Sequence, residues 1–115
     1  MIQNFRAGLW LDFDSRTRQV NLQPPVLTPE GLPVSGQRWR IRSFPNEQFH
    51  VIENVRGGVL DFDSRTLLVN LQDPVADGNG GPVSGQRWRI HQVPGEDLFV
   101  IENERASKVL DFIPR

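Results

Sequence analysis

The chain repeats itself at an interval of 49 residues, which restricts the fold to architectures assembled from copies of one small unit. Leu11-Asp12-Phe13-Asp14-Ser15-Arg16-Thr17 returns as Leu60-Asp61-Phe62-Asp63-Ser64-Arg65-Thr66. Val20-Asn21-Leu22-Gln23 returns as Val69-Asn70-Leu71-Gln72, and Pro33-Val34-Ser35-Gly36-Gln37-Arg38-Trp39-Arg40-Ile41 as Pro82-Val83-Ser84-Gly85-Gln86-Arg87-Trp88-Arg89-Ile90. Val51-Ile52-Glu53-Asn54 returns as Val100-Ile101-Glu102-Asn103, opening a third copy that reaches Val109-Leu110-Asp111-Phe112. Ile2-Gln3-Asn4 is the matching start of the first. The organisation expected is one domain over residues 1–115, with repeat one at 1–48, repeat two at 49–97 and a partial repeat three at 98–115.

The periodicity inside a copy is that of strands. Val20 and Leu22, Trp39 and Ile41, and Phe49, Val51 and Val55 alternate with polar residues, and no window sustains a helical apolar face. Gly57-Gly58, Asp63-Ser64, Asp77-Gly78-Asn79-Gly80-Gly81 and Pro94-Gly95 punctuate the runs as turns. Four short strands per copy, with two more from the half copy, predict an all-β fold of about ten strands and no helix.

Taken in order, Ile52-x-Asn54, the Gly57-Gly58 turn, Leu60-Asp61-Phe62, Val69-x-Leu71 and Gln86-x-Trp88 resemble the unit of the ricin-type (Gln-x-Trp) β-trefoil lectins. The first copy carries the same series through Gln37-x-Trp39, so the resemblance spans essentially the whole chain. It implies a β-trefoil-like barrel and carbohydrate binding, with glycans or glycoproteins as partners. The aspartates Asp12, Asp61 and Asp111 match the family's ligand-contact pattern. Gln23 and Gln72 stand where sugar-binding copies usually place an aromatic platform, and Gly36 and Gly85 where they often carry asparagine. A trefoil has a third unit that this chain holds only in part. Two completions are therefore expected: a homodimer in which each copy covers the other's open strand edge, or closure of the ten strands with two-fold pseudosymmetry. Self-association is the reading taken here.

An aspartate at the start of a hairpin can accept two hydrogen bonds from vicinal sugar hydroxyls, or it can accept from turn N–H groups and fix the hairpin. Both roles are open for Asp12, Asp61 and Asp111, with Asn21, Asn70, Gln23 and Gln72 as polar neighbours. Repeated weak sites suit multivalent binding. Trp39 and Trp88 are read as core, because alternation points both rings inward and a buried indole N–H seeks an acceptor. Gln37 and Gln86 are expected to tie their strand to a neighbouring loop.

A second reading places protein recognition on the loops. Arg16 and Arg65 sit in exposed Asp-Ser-Arg-Thr turns, although an Asp-fixed turn with a solvated arginine is the simpler account. The segment 24–33 holds four prolines and the apolar Val26, Leu27 and Leu32, so it would lose little entropy on docking. In architecture alone, such a loop on a cysteine-free trefoil resembles the fungal protease inhibitors of trefoil fold. A purely structural role, in which open edges recruit other copies, is the third.

Bulk properties exclude several classes. The net charge is −1, with no polycationic face for nucleic acid. No cysteine is present to supply disulfides, a thiol nucleophile or thiolate ligands. Hydrophobic residues make up 37% of the chain, yet no apolar run is long enough to span a membrane. No signal peptide is visible, which leaves the location open between cytoplasmic and non-classically exported. His50 and His91 are solitary, and neither metal nor cofactor is expected. Asp12 and Asp61 could imitate a glycosidase pair, but repetition gives them equivalent surroundings whereas an acid and a base need different ones. Catalysis is not expected.

Overall fold

The computed structural model describes residues 1–4 and 8–109. Among them run nine strands: β1 (Trp10–Asp14), β2 (Gln19–Gln23), β3 (Trp39–Ser43), β4 (His50–Asn54), β5 (Val59–Asp63), β6 (Leu68–Gln72), β7 (Trp88–Gln92), β8 (Phe99–Asn103) and β9 (Lys108–Val109). The helical content is two single-turn 3-10 segments, Ser35–Gln37 and Ser84–Gln86, at equivalent places in the two copies. The all-β expectation holds. The tenth strand is reduced to a bridge, in which Gln3 pairs with Trp10 and Leu11 N donates to Ile2 O at 2.7 Å. Among the described residues no helix is long and apolar enough to cross a membrane.

Each copy forms the same hairpin. In the first, β1 and β2 pair from Trp10↔Gln23 to Asp14↔Gln19; in the second, β5 and β6 pair from Val59↔Gln72 to Asp63↔Leu68. The turns close alike. Asp14 Oδ1 accepts from Arg16 N at 2.9 Å and Asp63 Oδ1 from Arg65 N at 2.8 Å, so a short acidic side chain substitutes for a backbone acceptor. Arg18 and Leu67 then both take φ of 60°, a left-handed conformation unfavourable for residues with a Cβ, which the turn bonds must offset. Those N–H bonds hold both carboxyls below the usual aspartate range.

The copies are joined by full ladders. β3 pairs with β4 from Trp39↔Asn54 to Ser43↔His50, and β7 with β8 from Trp88↔Asn103 to Gln92↔Phe99. The repeat boundaries at 48/49 and 97/98 therefore fall inside hairpin turns, and a copy cut there would lose a five-residue ladder. The remaining links are shorter: single residue pairs at Gln19↔Asn70, Glu53↔Val59 and His50↔Trp88, and two pairs between β8 and β9, Glu102↔Val109 and Asn103↔Lys108.

The strand order is β1-β2-β6-β5-β4-β7-β8-β9, with β3 on β4. Among the described residues the sheet is not closed; its path ends at β1 and β9. The closure of ten strands, weighed above as the alternative to self-association, is corrected accordingly. Single-pair links let the hairpins splay, whereas a closed barrel needs a continuous staggered ladder around its circumference.

The core gathers the same repeat positions from both copies: Leu11 with Leu60, Trp39 with Trp88, and Ile52, together with Phe13 and Leu71. Ile2, Val20, Leu22, Val69 and Ile101 pack against it. Both indoles are inside as alternation requires, and their N–H groups donate to Leu11 O at 2.9 Å and Leu60 O at 3.0 Å. Ile41, which the same alternation would bury, is 47% exposed, because β3 continues past the core toward the turn.

Gln37 and Gln86 do tie strands to loops. Gln37 Nε2 donates to Pro24 O at 3.0 Å and its Oε1 accepts from Val26 N at 2.9 Å; Gln86 makes the same two bonds with Asp73 O and Val75 N, both at 3.0 Å. The two loops differ in sequence but fold alike. Val34 N donates to Val26 O, as Val83 N does to Val75 O, both at 3.0 Å. Thr28 Oγ1 accepts from Leu32 N where Asp77 Oδ1 accepts from Gly81 N. The Asp-Gly-Asn-Gly loop, read from sequence as a turn, is pinned by Asp77, whose carboxylate also takes Asn79 N and Arg87 Nη1.

Candidate functional site

Leu11 and Phe13 face the core, so Asp12 between them points to the opposite face of β1. There it meets the 3-10 turn. A Cβ on Gly36 would lie 2.7 Å from Phe13 O and 3.0 Å from Asp12 Oδ1; one on Gly85 would lie 2.9 Å from both Phe62 O and Asp61 Oδ1. Any side chain at either position would strike backbone. That close approach is why glycine stands where the resemblance led to asparagine, and it brings each Leu-Asp carboxylate against a buried turn.

The copy that follows adds two further groups. Asn54 Nδ2 donates to Gly36 O at 3.0 Å and Asn103 Nδ2 to Gly85 O at 2.9 Å, holding the turn from below. Two residues beyond each asparagine, Arg56 Nε donates to Ser35 Oγ at 2.7 Å and Arg105 Nε to Ser84 Oγ at 3.0 Å. Each site is thus built across a junction: carboxylate and turn from one copy, guanidinium from the next.

Burial pushes the Asp12 carboxyl above its ordinary value; Asp14 adds to the rise and the Arg56 charge opposes it. Asp61 is likewise raised by burial, with Arg105 opposing and Asp63 adding. Among the described residues neither carboxylate accepts a hydrogen bond. These are half-buried acceptors with spare capacity, unlike Asp14 and Asp63, whose oxygens are engaged by their own turns.

At the first junction these groups border a cleft of about 410 Å³, whose walls include Asp12, Arg16, Gln23, Val26, Gly36 and Arg56. It brings together Asp12 and Gln23, expected for sugar binding, with Arg16 and Val26, expected for a protein partner. Asn21 lies opposite Asp12 in the ladder and accepts from Gln23 Nε2 at 3.2 Å, so it orients Gln23 without lining the cleft. Leu27 stands outside the lining, 54% exposed in its loop. In the second copy Asn70 lies opposite Asp61, and its buried Oδ1 has no hydrogen-bond partner among the described residues. Gln72 is exposed at the end of β6, and Arg65 Nε is drawn back to Asp63 Oδ1 at 3.5 Å. Asp111 lies outside the described residues.

Arg56, Arg105, Ser35 and Ser84 were not singled out by sequence reasoning. A signal existed, because arginine recurs two residues after Asn54 and Asn103 and serine recurs within Pro-Val-Ser-Gly-Gln. Among the described residues no group of three or more His, Asp or Glu side chains could hold a metal ion. Compared with known proteins, the chain matches no family model, no curated protein and no solved structure.

Proposed function

We propose that this protein is a non-catalytic carbohydrate-binding module, a β-trefoil-like relative of the ricin-type lectins, whose sites lie at the junctions between copies. The observation that carries the reading is the Asp12 carboxylate, which has no hydrogen bond among the described residues and faces the junction cleft. A carboxylate of that kind accepts from adjacent sugar hydroxyls, Gln23 supplies a further amide, and Asp61 repeats the arrangement. Glycans or glycoproteins are the partners this chemistry suits. Two weak sites on one chain raise avidity on a multivalent surface. Self-association would add further sites and would cover the edges of the open sheet.

On a glycan array, Asp12→Asn is expected to lose about 10- to 100-fold in binding while remaining folded, the size of one or two charge-assisted hydrogen bonds. Unchanged binding would remove Asp12 from the site. The pH dependence follows from the direction of the shift. The folded pKa of Asp12 lies above its ordinary value, so the group begins to take up its proton at a higher pH than an unperturbed aspartate. Over that window protonation favours the fold, because the native state holds the extra proton, yet it removes an acceptor from the site. Binding is expected to weaken as pH falls while stability does not fall on this group's account. Parallel titrations of glycan binding and of thermal unfolding separate the two.

One observation favours protein recognition instead. Val26, Leu27 and Leu32 are 49%, 54% and 55% exposed on a loop braced by Gln37, a pre-ordered apolar surface. A panel of proteases with no inhibition at micromolar protein would remove the inhibitor form of this reading.

A further inference from the structure

We propose that the first junction cleft selects a sugar residue bearing a carboxylate, with hydroxyls donating to Asp12 and the carboxylate accepting from the terminal nitrogens of Arg56. This rests on the carbohydrate-binding reading and assigns its ligand class.

The cleft holds four charged side chains. Two of them satisfy each other: Asp14 Oδ1 takes both the backbone N–H and the Nε–H of Arg16, at 2.9 and 3.5 Å. That leaves Asp12 and Arg56. Arg56 is oriented by its Nε bond to Ser35, so the four N–H donors on its terminal nitrogens form a fixed fork. Among the described residues those nitrogens make no hydrogen bond, and no ion pair joins Arg56 to Asp12. Arg56 is nevertheless close enough to act on the Asp12 charge. A held cation and a held anion face the same space without neutralising each other. A neutral sugar would satisfy only the carboxylate and would leave the fork stripped of water without a partner. A sugar carboxylate supplies two parallel acceptors with the geometry a guanidinium matches best.

The second junction shows what the first avoids. Arg105 Nη1 lies 3.0 Å from the point where a Gly85 Cβ would stand, and Asp61 Oδ1 lies 2.9 Å from the same point. There the guanidinium and the carboxylate both crowd the turn, leaving less room between them. Around Gly36 the nearest atoms are Phe13 O, Asp12 Oδ1 and Phe13 C, the last at 3.8 Å, so Arg56 stands farther off and the site is open to a ligand. Selection for acid therefore belongs to the Asp12 site.

The test compares glucuronate-terminated oligosaccharides with the same oligosaccharides methyl-esterified at the uronate, titrated into the untagged protein at neutral pH. The acid is expected to bind at least about tenfold more tightly than the ester. Arg56→Gln should bring the affinity for the acid down to that for the ester, and Arg56→Lys should restore the preference in part because the charge returns without the fork. Tryptophan fluorescence and melting confirm that each variant is folded. Equal affinity for acid and ester, or a preference that survives in Arg56→Gln, overturns the inference and leaves the carbohydrate reading standing. Free amino acids displacing the uronate as well as the sugar itself would also overturn it, since the site would then be reading a zwitterion. Failure of the folded wild-type protein to bind either oligosaccharide, or any member of a broad glycan array, takes down the carbohydrate reading itself.

Discussion

Trp88→Ala is expected to destabilise the protein by about 3–5 kcal/mol, a large part of the roughly 5–15 kcal/mol that holds a domain together. Trp88 is 1% exposed and is the largest fully buried side chain among the described residues. It packs in the cluster that contains Leu11, Ile52 and Leu60, residues drawn from both copies, so its removal opens a cavity where the copies meet. It also leaves Leu60 O without the indole donor at 3.0 Å. Urea unfolding followed by circular dichroism should show the midpoint falling steeply, or the cooperative transition disappearing. Trp88→Phe keeps an aromatic ring but not the N–H, and is expected to cost about 1–3 kcal/mol. A Trp88→Ala midpoint within experimental error of the wild type would remove the indole from the core. Trp39, 9% exposed with its equivalent bond to Leu11 O, should show the same ordering at smaller magnitude.

Gln86→Leu is expected to cost about 2–4 kcal/mol although it preserves volume and adds apolar surface. Gln86 is 1% exposed, and its amide satisfies one backbone acceptor and one backbone donor, Asp73 O and Val75 N. Leucine can serve neither, so two main-chain groups of the 73–82 loop must find water or remain unpaired. Opening of the loop is the cheaper response. Hydrogen exchange should therefore report faster exchange at the Val75 amide, and limited proteolysis should report new cleavage near the loop. A stable variant with native protection at Val75 would mean that the loop is held by its own turn bonds, from Asp77 and Gly81, and not by the glutamine. The same substitution at Gln37 tests the proline-rich loop, whose stiffer backbone should respond less.

Much of the local structure could be read from residue order. The Asp-Ser-Arg-Thr turns close as their composition requires, the Leu-Asp-Phe and Val-Asn-Leu strands pair into hairpins, and both tryptophans go inward. These features depend on chirality, turn chemistry and alternation, which act over a few residues and are written directly into them. Gln37 and Gln86 could be assigned as loop ties because a buried amide next to a core tryptophan must find partners nearby. Of the candidate site, the aspartates were visible because they repeat, and Gln23 because it neighbours them.

The rest depended on distances between copies. Arg56 reaches Ser35 across a repeat boundary, and nothing in the periodicity of either segment says that the two meet; only the β3–β4 ladder sets them side by side. The same ladder leaves Ile41 outside a core that its alternation would have joined. Whether the repeated hairpins close into a barrel was decided by the single-pair links between them, which leave the sheet open among the described residues. The sequence by itself determined the repeat, its strands and turns, and the inward face of the tryptophans, because those follow from short-range sterics and the pattern of polarity. Only the tertiary structure decided which groups meet at each junction, because a half-buried charge takes its partners from segments that packing, not chain order, makes neighbours.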